Sequence, residues 1–221
     1  MICWSCQKAA GTDALCGSCG AILPPDRSRD YFQVLGIKHV YDLDLADLEQ
    51  RYKNLTKTLH PDRYAKAAPE ARRASLERSV QLNDAWRTLS DPIRRAEYLL
   101  SLKGIVVGEQ SQSGSPALAA THATLPVPPS LLMEVMELRE ALVDARATKD
   151  HPEIDALVAK VKARLEQVHA DVGVGFAQDH PDYPNIAARL VTVRYYRRFL
   201  DEAQAQRNAA QLAVKETDRA R

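Results

Sequence analysis

The amino-acid sequence predicts an all-α protein with a small non-helical head at its N-terminus. Most apolar residues recur three or four positions apart, they are mainly Leu and Ala, and few segments favour strands. All four cysteines lie within the first 19 residues, where glycines are also frequent. A segment this short buries little apolar surface, so we expect metal binding to supply most of its folding free energy.

The composition excludes a general attraction to nucleic acid or to membranes. The 221 residues are 45% hydrophobic and 27% charged, with a formal net charge of +1. A net charge so close to zero predicts neither a nucleic-acid partner nor a membrane partner, and no apolar run is long enough to span a bilayer. Cysteines stand where a signal peptide would have its apolar stretch. We predict the bacterial cytosol; the mitochondrial matrix is the alternative and would require an Arg-rich leader.

Prolines and glycines divide the chain into four predicted segments, without an apparent internal repeat. A proline pair ends the head, and a stretch rich in Gly, Pro, Ser and Gln separates two helical blocks. The segments are the head at 1–24, the first helical block at 28–105, the linker at 106–129 and the second helical block at 130–215.

The first helical block is predicted to contain an antiparallel helix pair. Asp44 is a good N-cap for a helix that runs to about Leu59, where Pro61 stops it. Pro69 suits the first turn of a second helix, which runs to about Leu89. A short connection favours antiparallel packing, so the residues between these helices lie in an interhelical loop.

The second helical block is predicted to be a three-helix bundle. Gly173 and Gly175 are expected to interrupt its middle helix. The predicted helices run from an N-cap at Ser130 to about Ala147, from Pro152 to near Val172, and from about Pro184 to Leu212.

The cysteines predict a structural metal site. Cys3, Cys6, Cys16 and Cys19 form two CxxC pairs separated by nine residues, and each pair can aim two thiolates at one point. Zinc is the predicted ion, since tetrahedral sulfur sites favour it, and rubredoxin-like iron is the alternative. Redox-active pairs and structural disulfides are the other interpretations. We expect substitution of one cysteine to release the metal and to unfold only the head.

A His-Pro-Asp tripeptide occurs twice, and its surroundings distinguish the two copies. His60-Pro61-Asp62 lies between the two predicted helices of the first block, whereas His180-Pro181-Asp182 has the pattern of an ordinary turn before a helix. Cations surround the first copy. They could bind an acidic partner, or they could simply stabilise the helix by interacting with the negative C-terminal end of its dipole. These cations are Arg51, Lys53, Lys57 and Arg63.

The first helix of the second block has two apolar sides. One is a core stripe of Leu131, Val135, Leu138 and Leu142. The other combines apolar and acidic residues, which is typical of an adaptable docking surface but also of a helix covered on both sides. Its members are Leu132, Met133, Met136 and Glu140, flanked by Glu137.

Several runs in the first block resemble the J-domain, the module through which co-chaperones address DnaK-type ATPase chaperones. The continuation Arg95-Ala96-Glu97-Tyr98-Leu99-Leu100 is similar to one branch, the HscB-type co-chaperones of iron–sulfur cluster assembly. This resemblance covers nearly everything after residue 28, and the tetracysteine head resembles an extra domain of some members. The J-domain runs are Asp30-Tyr31-Phe32, Leu35-Gly36, Arg51-Tyr52, Leu59-His60-Pro61-Asp62, Leu82-Asn83-Asp84-Ala85-Trp86 and Leu89-Ser90-Asp91-Pro92.

The resemblance implies two binding sites. His60, Pro61 and Asp62 would dock on the ATPase domain of a dedicated chaperone of the HscA class, supported by the four cations. The second block would bind an IscU-type scaffold protein through Leu132, Met133, Met136, Glu137 and Glu140. Met136 stands where family members often have Leu. Tyr195 matches the aromatic residue that completes the family's scaffold site, with Tyr196 or Phe199 as the alternatives.

The resemblance therefore predicts a co-chaperone that stimulates a partner's ATPase, delivers the scaffold to it and does no chemistry itself. A J-domain protein with a different client is one alternative, and a zinc-ribbon nucleic-acid binder is another, against which the net charge argues. The chain has no Gly-rich phosphate loop and no G-x-S-x-G motif. A closed Cys₄ site leaves no position for a substrate, so we do not expect an enzyme.

Overall fold

The computed structural model describes residues 1–107 and 127–219, with side chains up to residue 205. Most of the linker predicted at 106–129 lies outside the described residues. The chain divides into two compact units, Met1–Leu99 and Leu100–Arg221. Within the described ranges there are seven α-helices and no strand beyond two isolated bridges, which confirms the all-α prediction. No described helix is long and apolar enough to cross a membrane.

Five helical segments follow the head in the described part of the first block. They are α1 (Tyr31–Leu35), α2 (Leu45–Leu59), a 3₁₀ helix (Pro61–Tyr64), α3 (Pro69–Ser90) and α4 (Pro92–Ser101). Asp44 caps α2 by accepting hydrogen bonds from two backbone N–H groups, as predicted. Helices α1, α2 and α3 share an apolar core that contains Phe32, Leu35, Leu48, Leu82 and Leu89.

Helix α1 was not predicted, because five residues are too few to show a helical period. Asp30 and Gln33 form a capping box at its start, and Gly36 ends it with a left-handed backbone at φ 66°. The helix buries Phe32 and Leu35 against α2 and α3. A short, well-capped element therefore supplies a large part of the apolar core.

The second unit contains α5 (Pro129–Ala147), α6 (His151–Phe176) and α7 (Tyr183–Arg219). Two expectations about helix ends are wrong. Ser130 lies inside α5 and Pro128 occupies the N-cap position, so no side chain caps this helix. Helix α6 continues through Gly173 and Gly175.

Gly175 lies where α6 and α7 pack closely. A Cβ added to Gly175 would lie 2.9 Å from Cγ1 of the buried Ile186. Glycine is therefore required by the distance between the two helices and not by a break in α6. The sequence shows a glycine but not the neighbour that demands it, which explains the incorrect expectation.

We expect Gly175→Ala to lower the stability of the second unit. Overpacking against Ile186 costs about 1–3 kcal/mol, partly offset by the roughly 1 kcal/mol that alanine gains as a helix former. Denaturant unfolding followed by circular dichroism would measure the change. The exposed neighbour Val174 provides the control, and Val174→Ala should leave stability nearly unchanged. A more stable Gly175→Ala protein would contradict the close approach.

Candidate functional site

The head is built from two copies of one backbone turn. The N–H of Gln7 donates to the carbonyl of Cys3 at 3.0 Å, and the N–H of Gly20 donates to the carbonyl of Cys16 at 2.8 Å. Gln7 and Gly20 both have a left-handed backbone, with φ values of 57° and 71°. The bridges Ile2–Ala9 and Leu15–Ile22 repeat in the same way. The two copies share the C-x-S-C pattern, but this is too short to be recognised as a repeat of the whole turn.

The two turns bring the four cysteine sulfurs together. All four Sγ atoms lie within 4.8 Å of one another. The Sγ atoms of Cys3 and Cys19 are 3.7 Å apart, and those of Cys6 and Cys16 are 3.8 Å apart. A tetrahedral ion with metal–sulfur bonds of about 2.3 Å would separate its sulfurs by about 3.8 Å. The predicted cysteines therefore fit a shared metal ion, and their sulfurs are farther apart than the roughly 2.05 Å of a disulfide.

The backbone around the sulfurs favours the thiolate form that a metal requires. Hydrogen bonds from the N–H groups of Ser18 and Cys19 lower the pKa of the Cys16 thiol to about 6. A backbone hydrogen bond at Lys8 also acts to lower the pKa of Cys6, but burial and hydrogen bonds with the other three cysteines outweigh it and raise that pKa to about 11. Cys3 and Cys16 are buried, whereas Cys19 is exposed. The donor set and its backbone contacts suit a structural site closed by four sulfurs.

The first His-Pro-Asp tripeptide is an exposed, well-defined loop. His60 ends α2, and its Nδ1 accepts a hydrogen bond from the N–H of Asp62 at 3.3 Å. The residues after the loop hold it to α2, since Arg63 donates to the carbonyl of Lys57 and Tyr64 donates to that of Thr58, both at 3.3 Å. The Asp62 side chain is 91% exposed. Its carboxylate is therefore accessible to another protein.

The predicted cations do not share one face of α2. Lys53 and Lys57 are exposed and one turn apart, so they form one patch. Arg51 lies elsewhere, where it pairs with Asp47 at 2.7 Å and donates to the carbonyl of Gly36 at 3.0 Å. Arg51 thus holds the end of α1 to α2 in addition to any role in partner binding.

The second tripeptide begins a helix, as predicted. The Asp182 carboxylate accepts a hydrogen bond from the N–H of Asn185 at 3.1 Å, at the start of α7. This is ordinary capping by an aspartate. The two copies of the tripeptide therefore differ in structure as their surroundings indicated.

Helix α5 has one buried side and one exposed side. Leu131, Val135, Leu138 and Leu142 are all buried, as predicted for the core stripe. Leu132, Met133 and Met136 are 41%, 64% and 61% exposed, and Glu137 and Glu140 are exposed as well. We call these five residues the methionine face. Val143, which is 57% exposed and follows Met136 by two helical turns, extends this apolar surface and was missed.

The three candidate aromatic residues of α7 have different environments. Phe199 is fully buried, and Tyr196 is 3% exposed with its hydroxyl donating to Glu134 of α5 at 3.0 Å. Burial, together with that hydrogen bond, raises the pKa of Tyr196. Tyr195 is only partly buried, so it has the most surface available to a partner.

Comparisons with known proteins identify the family. The DnaJ domain matches residues 30–98, and the HSCB C-terminal oligomerisation domain matches residues 127–204. The co-chaperone protein HscB homolog of Shewanella baltica is 38% identical over 143 residues, which cover 62% of this chain and 75% of that protein. The chain belongs to the HscB co-chaperone family.

A eukaryotic HscB protein and a solved HscB structure extend the similarity. The mouse iron–sulfur cluster co-chaperone protein HscB is 29% identical over 198 residues, which cover 88% of this chain and 77% of that protein. The crystal structure of human co-chaperone protein HscB matches with a TM-score of 0.78 at 26% identity, covering 94% of this chain and 98% of that one. The HscB fold thus accounts for nearly the whole chain.

Proposed function

We propose that this chain stimulates the ATPase of a DnaK-type chaperone of the HscA class and delivers an IscU-type iron–sulfur scaffold protein to it. The observation that carries this proposal is the presence of two exposed surfaces in one HscB-family chain. One is the loop His60-Pro61-Asp62, and the other is the methionine face of α5. Each lies in a different compact unit, so one chain can hold two partners.

The loop suits an interaction with a charged groove on the chaperone. Its carboxylate is exposed, and Lys53, Lys57 and Arg63 add positive charge in the neighbouring sequence, with Lys53 also paired with Glu49 at 2.8 Å. Complementary charges of this kind set orientation and association rate more than affinity. We assign chaperone binding to His60, Pro61, Asp62 and Arg63, with Lys53 and Lys57, and we assign Arg51 mainly to holding α1.

The methionine face suits the scaffold protein. Met133 and Met136 are flexible, polarizable side chains whose exposed apolar surface is bordered by Glu137 and Glu140. The burial of Tyr196 and Phe199 supports Tyr195 as the aromatic member of the site. Holding both partners on one chain raises their effective concentration for each other, and this requires no chemistry from the chain itself.

We further propose zinc as the ion of the head, because four cysteine sulfurs within 4.8 Å of one another form a donor set that favours zinc over harder cations. Bound zinc would hold the two turns together and supply folding free energy. Thiolates in such a site persist under reducing conditions, which the bacterial cytosol provides.

Calorimetric titration with an IscU-type scaffold tests the proposal. We expect micromolar binding by the natural chain and a loss of about 100-fold or more in Met133→Ser/Met136→Ser/Tyr195→Ala. Truncating three interface anchors typically costs about 1 kcal/mol or more for each. The variant should keep its fold, because both methionines are exposed and Tyr195 is only partly buried.

A matched control distinguishes a specific site from nonspecific binding by exposed apolar side chains. Leu76 and Val80 of α3 are 56% and 61% exposed and also lie one turn apart. Leu76→Ser/Val80→Ser should bind the scaffold with unchanged affinity. Equal affinity of the natural chain and the triple variant would place the scaffold site elsewhere, and no binding by the natural chain would indicate a different client.

A further inference from the structure

The head shares an apolar core with the residues around the His-Pro-Asp loop. Ile22 of the head is 1% exposed and packs with Leu59, the last residue of α2, and with Ala71 and Ala74 of α3. Tyr64, which follows the loop, packs against the same cluster. The cluster that includes this side chain of the head therefore also includes residues from the segment that enters the loop and from the segments that follow it.

A buried arginine of α3 holds the head by its backbone. Arg78 is 7% exposed, and its Nε donates to the carbonyl of Leu23 at 2.6 Å. Its Nη2 donates to the carbonyls of Asp13 and Pro24, both at 3.0 Å. Burial lowers the pKa of Arg78, which shows the cost of removing this charge from water. The guanidinium is satisfied by carbonyls that occupy these positions only while the head is folded.

A continuous series of contacts runs from the metal site to the loop. Trp4, which lies between the first two cysteines, donates its Nε1 hydrogen to the carbonyl of Ile22 at 2.7 Å. Ile22 belongs to the same buried cluster as Leu59, and the carbonyl of Leu59 accepts a hydrogen bond from Ser75 of α3 at 2.7 Å. His60 follows directly. The end of α2 is thus fixed between α3 and the head.

The apolar contacts within the head are few. Its own buried cluster consists of Cys3, Cys16 and Leu23, and two of these three residues are metal ligands. Without the ion the sulfurs have no common partner, so the turns that carry Trp4 and Ile22 lose their support. Loss of metal would then expose Leu59 to solvent and would deprive Arg78 of its carbonyl acceptors.

We propose that Arg78 and Ile22 couple metal binding in the head to the order of the His-Pro-Asp loop. In this arrangement the loaded head is a structural part of the J-domain and not an independent appendage. Arg78 is a positioning residue, since it acts on the loop through the head and α3. The consequence for ATPase stimulation rests on the proposed function above, whereas the coupling itself does not.

Thermodynamic reciprocity provides the first test. If bound metal strengthens the docking of the head, then weakening the docking must weaken metal binding by the same factor. Zinc affinity would be measured by competition with a chromophoric chelator on the full chain. We expect Arg78→Met to bind zinc about tenfold or more weakly, because each hydrogen bond from a charged donor contributes substantially. Arg78→Lys, which keeps a charged donor, should recover part of the affinity.

Arg73 provides the matched control, because it lies on the same helix with a side chain that is 81% exposed and paired with Glu77. Arg73→Met should leave zinc affinity unchanged. If Arg78→Met binds zinc as tightly as the natural chain does, the proposed coupling is wrong. A general loss of folding is recognised separately, since circular dichroism of the variants would show it.

Amide hydrogen exchange of the natural chain, with and without zinc under reducing conditions, provides a test that needs no variant. We expect removal of zinc to accelerate exchange at residues 55–64 and 71–78 as well as in the head, and to leave α5–α7 unchanged. Faster exchange confined to residues 1–24 would overturn the proposal and restore the expectation of an independent head.

The chaperone assay then relates the coupling to function. We expect zinc removal to reduce ATPase stimulation and zinc addition to restore it. Absence of stimulation by the loaded chain would contradict the proposed function while the affinity and exchange results still decide the coupling. Full stimulation by the metal-free chain would show that the loop does not depend on the head.

Discussion

Replacement of Asp62 with asparagine is expected to abolish stimulation of the partner chaperone's ATPase while leaving the chain folded. Asparagine has nearly the same shape but no negative charge. The Asp62 side chain is 91% exposed and lies 3.5 Å from the His60 ring, and an exposed contact of this kind contributes little to folding stability. In a desolvated contact with a basic partner, loss of one charge typically weakens the interaction about 30-fold or more. Steady-state ATP hydrolysis by an HscA-class chaperone would measure the effect.

The second His-Pro-Asp tripeptide provides an internal control for this experiment. Asp182→Asn makes the same chemical change in the same tripeptide, but there the carboxylate caps α7. Asparagine is an equally good N-cap, so neither stability nor stimulation should change appreciably. If Asp62→Asn stimulates ATP hydrolysis by the chaperone as strongly as the natural chain does, the J-domain mechanism is contradicted. Loss of stimulation in Asp182→Asn would show that the first loop is not the specific contact.

Replacement of Phe199 with alanine is expected to destabilise the second unit by about 3–5 kcal/mol, the usual cost of truncating a buried phenylalanine. Phe199 is 0% exposed, and it is one of the largest fully buried side chains of the chain's described part. Tyr195→Ala should cost much less stability, since Tyr195 is only partly buried. Comparing the two variants distinguishes an aromatic residue that stabilises the bundle from one that can contact the scaffold.

The tryptophans make this measurement specific to one unit. Both, Trp4 and Trp86, lie within Met1–Leu99, so tryptophan fluorescence follows the first unit alone. Circular dichroism follows the helices of both units. In Phe199→Ala we expect part of the circular dichroism signal to be lost at lower denaturant concentration, while the fluorescence transition stays in place. A fluorescence transition that shifts by the same amount would contradict independent unfolding of the two units.

Much of the helical framework was predictable because helix ends depend on nearby residues. Asp44 caps α2, Pro61 ends it and Pro69 begins α3, and the structure confirms these positions. The buried stripe of α5 was equally predictable, because a period of 3.6 residues decides which side chains share a face. The predictions failed at α1, which is too short to show a period. They also failed at α6, where Gly175 is needed because Ile186 of α7 lies so close to it.

The residues of the candidate sites could be named from the sequence, but their arrangement on the surface could not. The spacing of the cysteines predicted a four-sulfur site, and the structure brings all four sulfurs within 4.8 Å of one another. The four cations were grouped by proximity in sequence, yet Arg51 contacts Gly36 while Lys53 and Lys57 share another face. The assignment of residues to the two partners stays a prediction, and burial now distinguishes Tyr195 from Tyr196 and Phe199.

By itself, the sequence determined the helical class, the grouping of the four cysteines and the exposed side of α5, since caps, prolines, cysteine spacing and helical periodicity all act over a few residues. Only the tertiary structure decided that the head packs beside the His-Pro-Asp loop. Arg78 contacts the carbonyl of Leu23 from 55 positions away. A hydrogen bond to a backbone carbonyl does not depend on the side chain of the accepting residue, so such a contact leaves no pattern in the sequence.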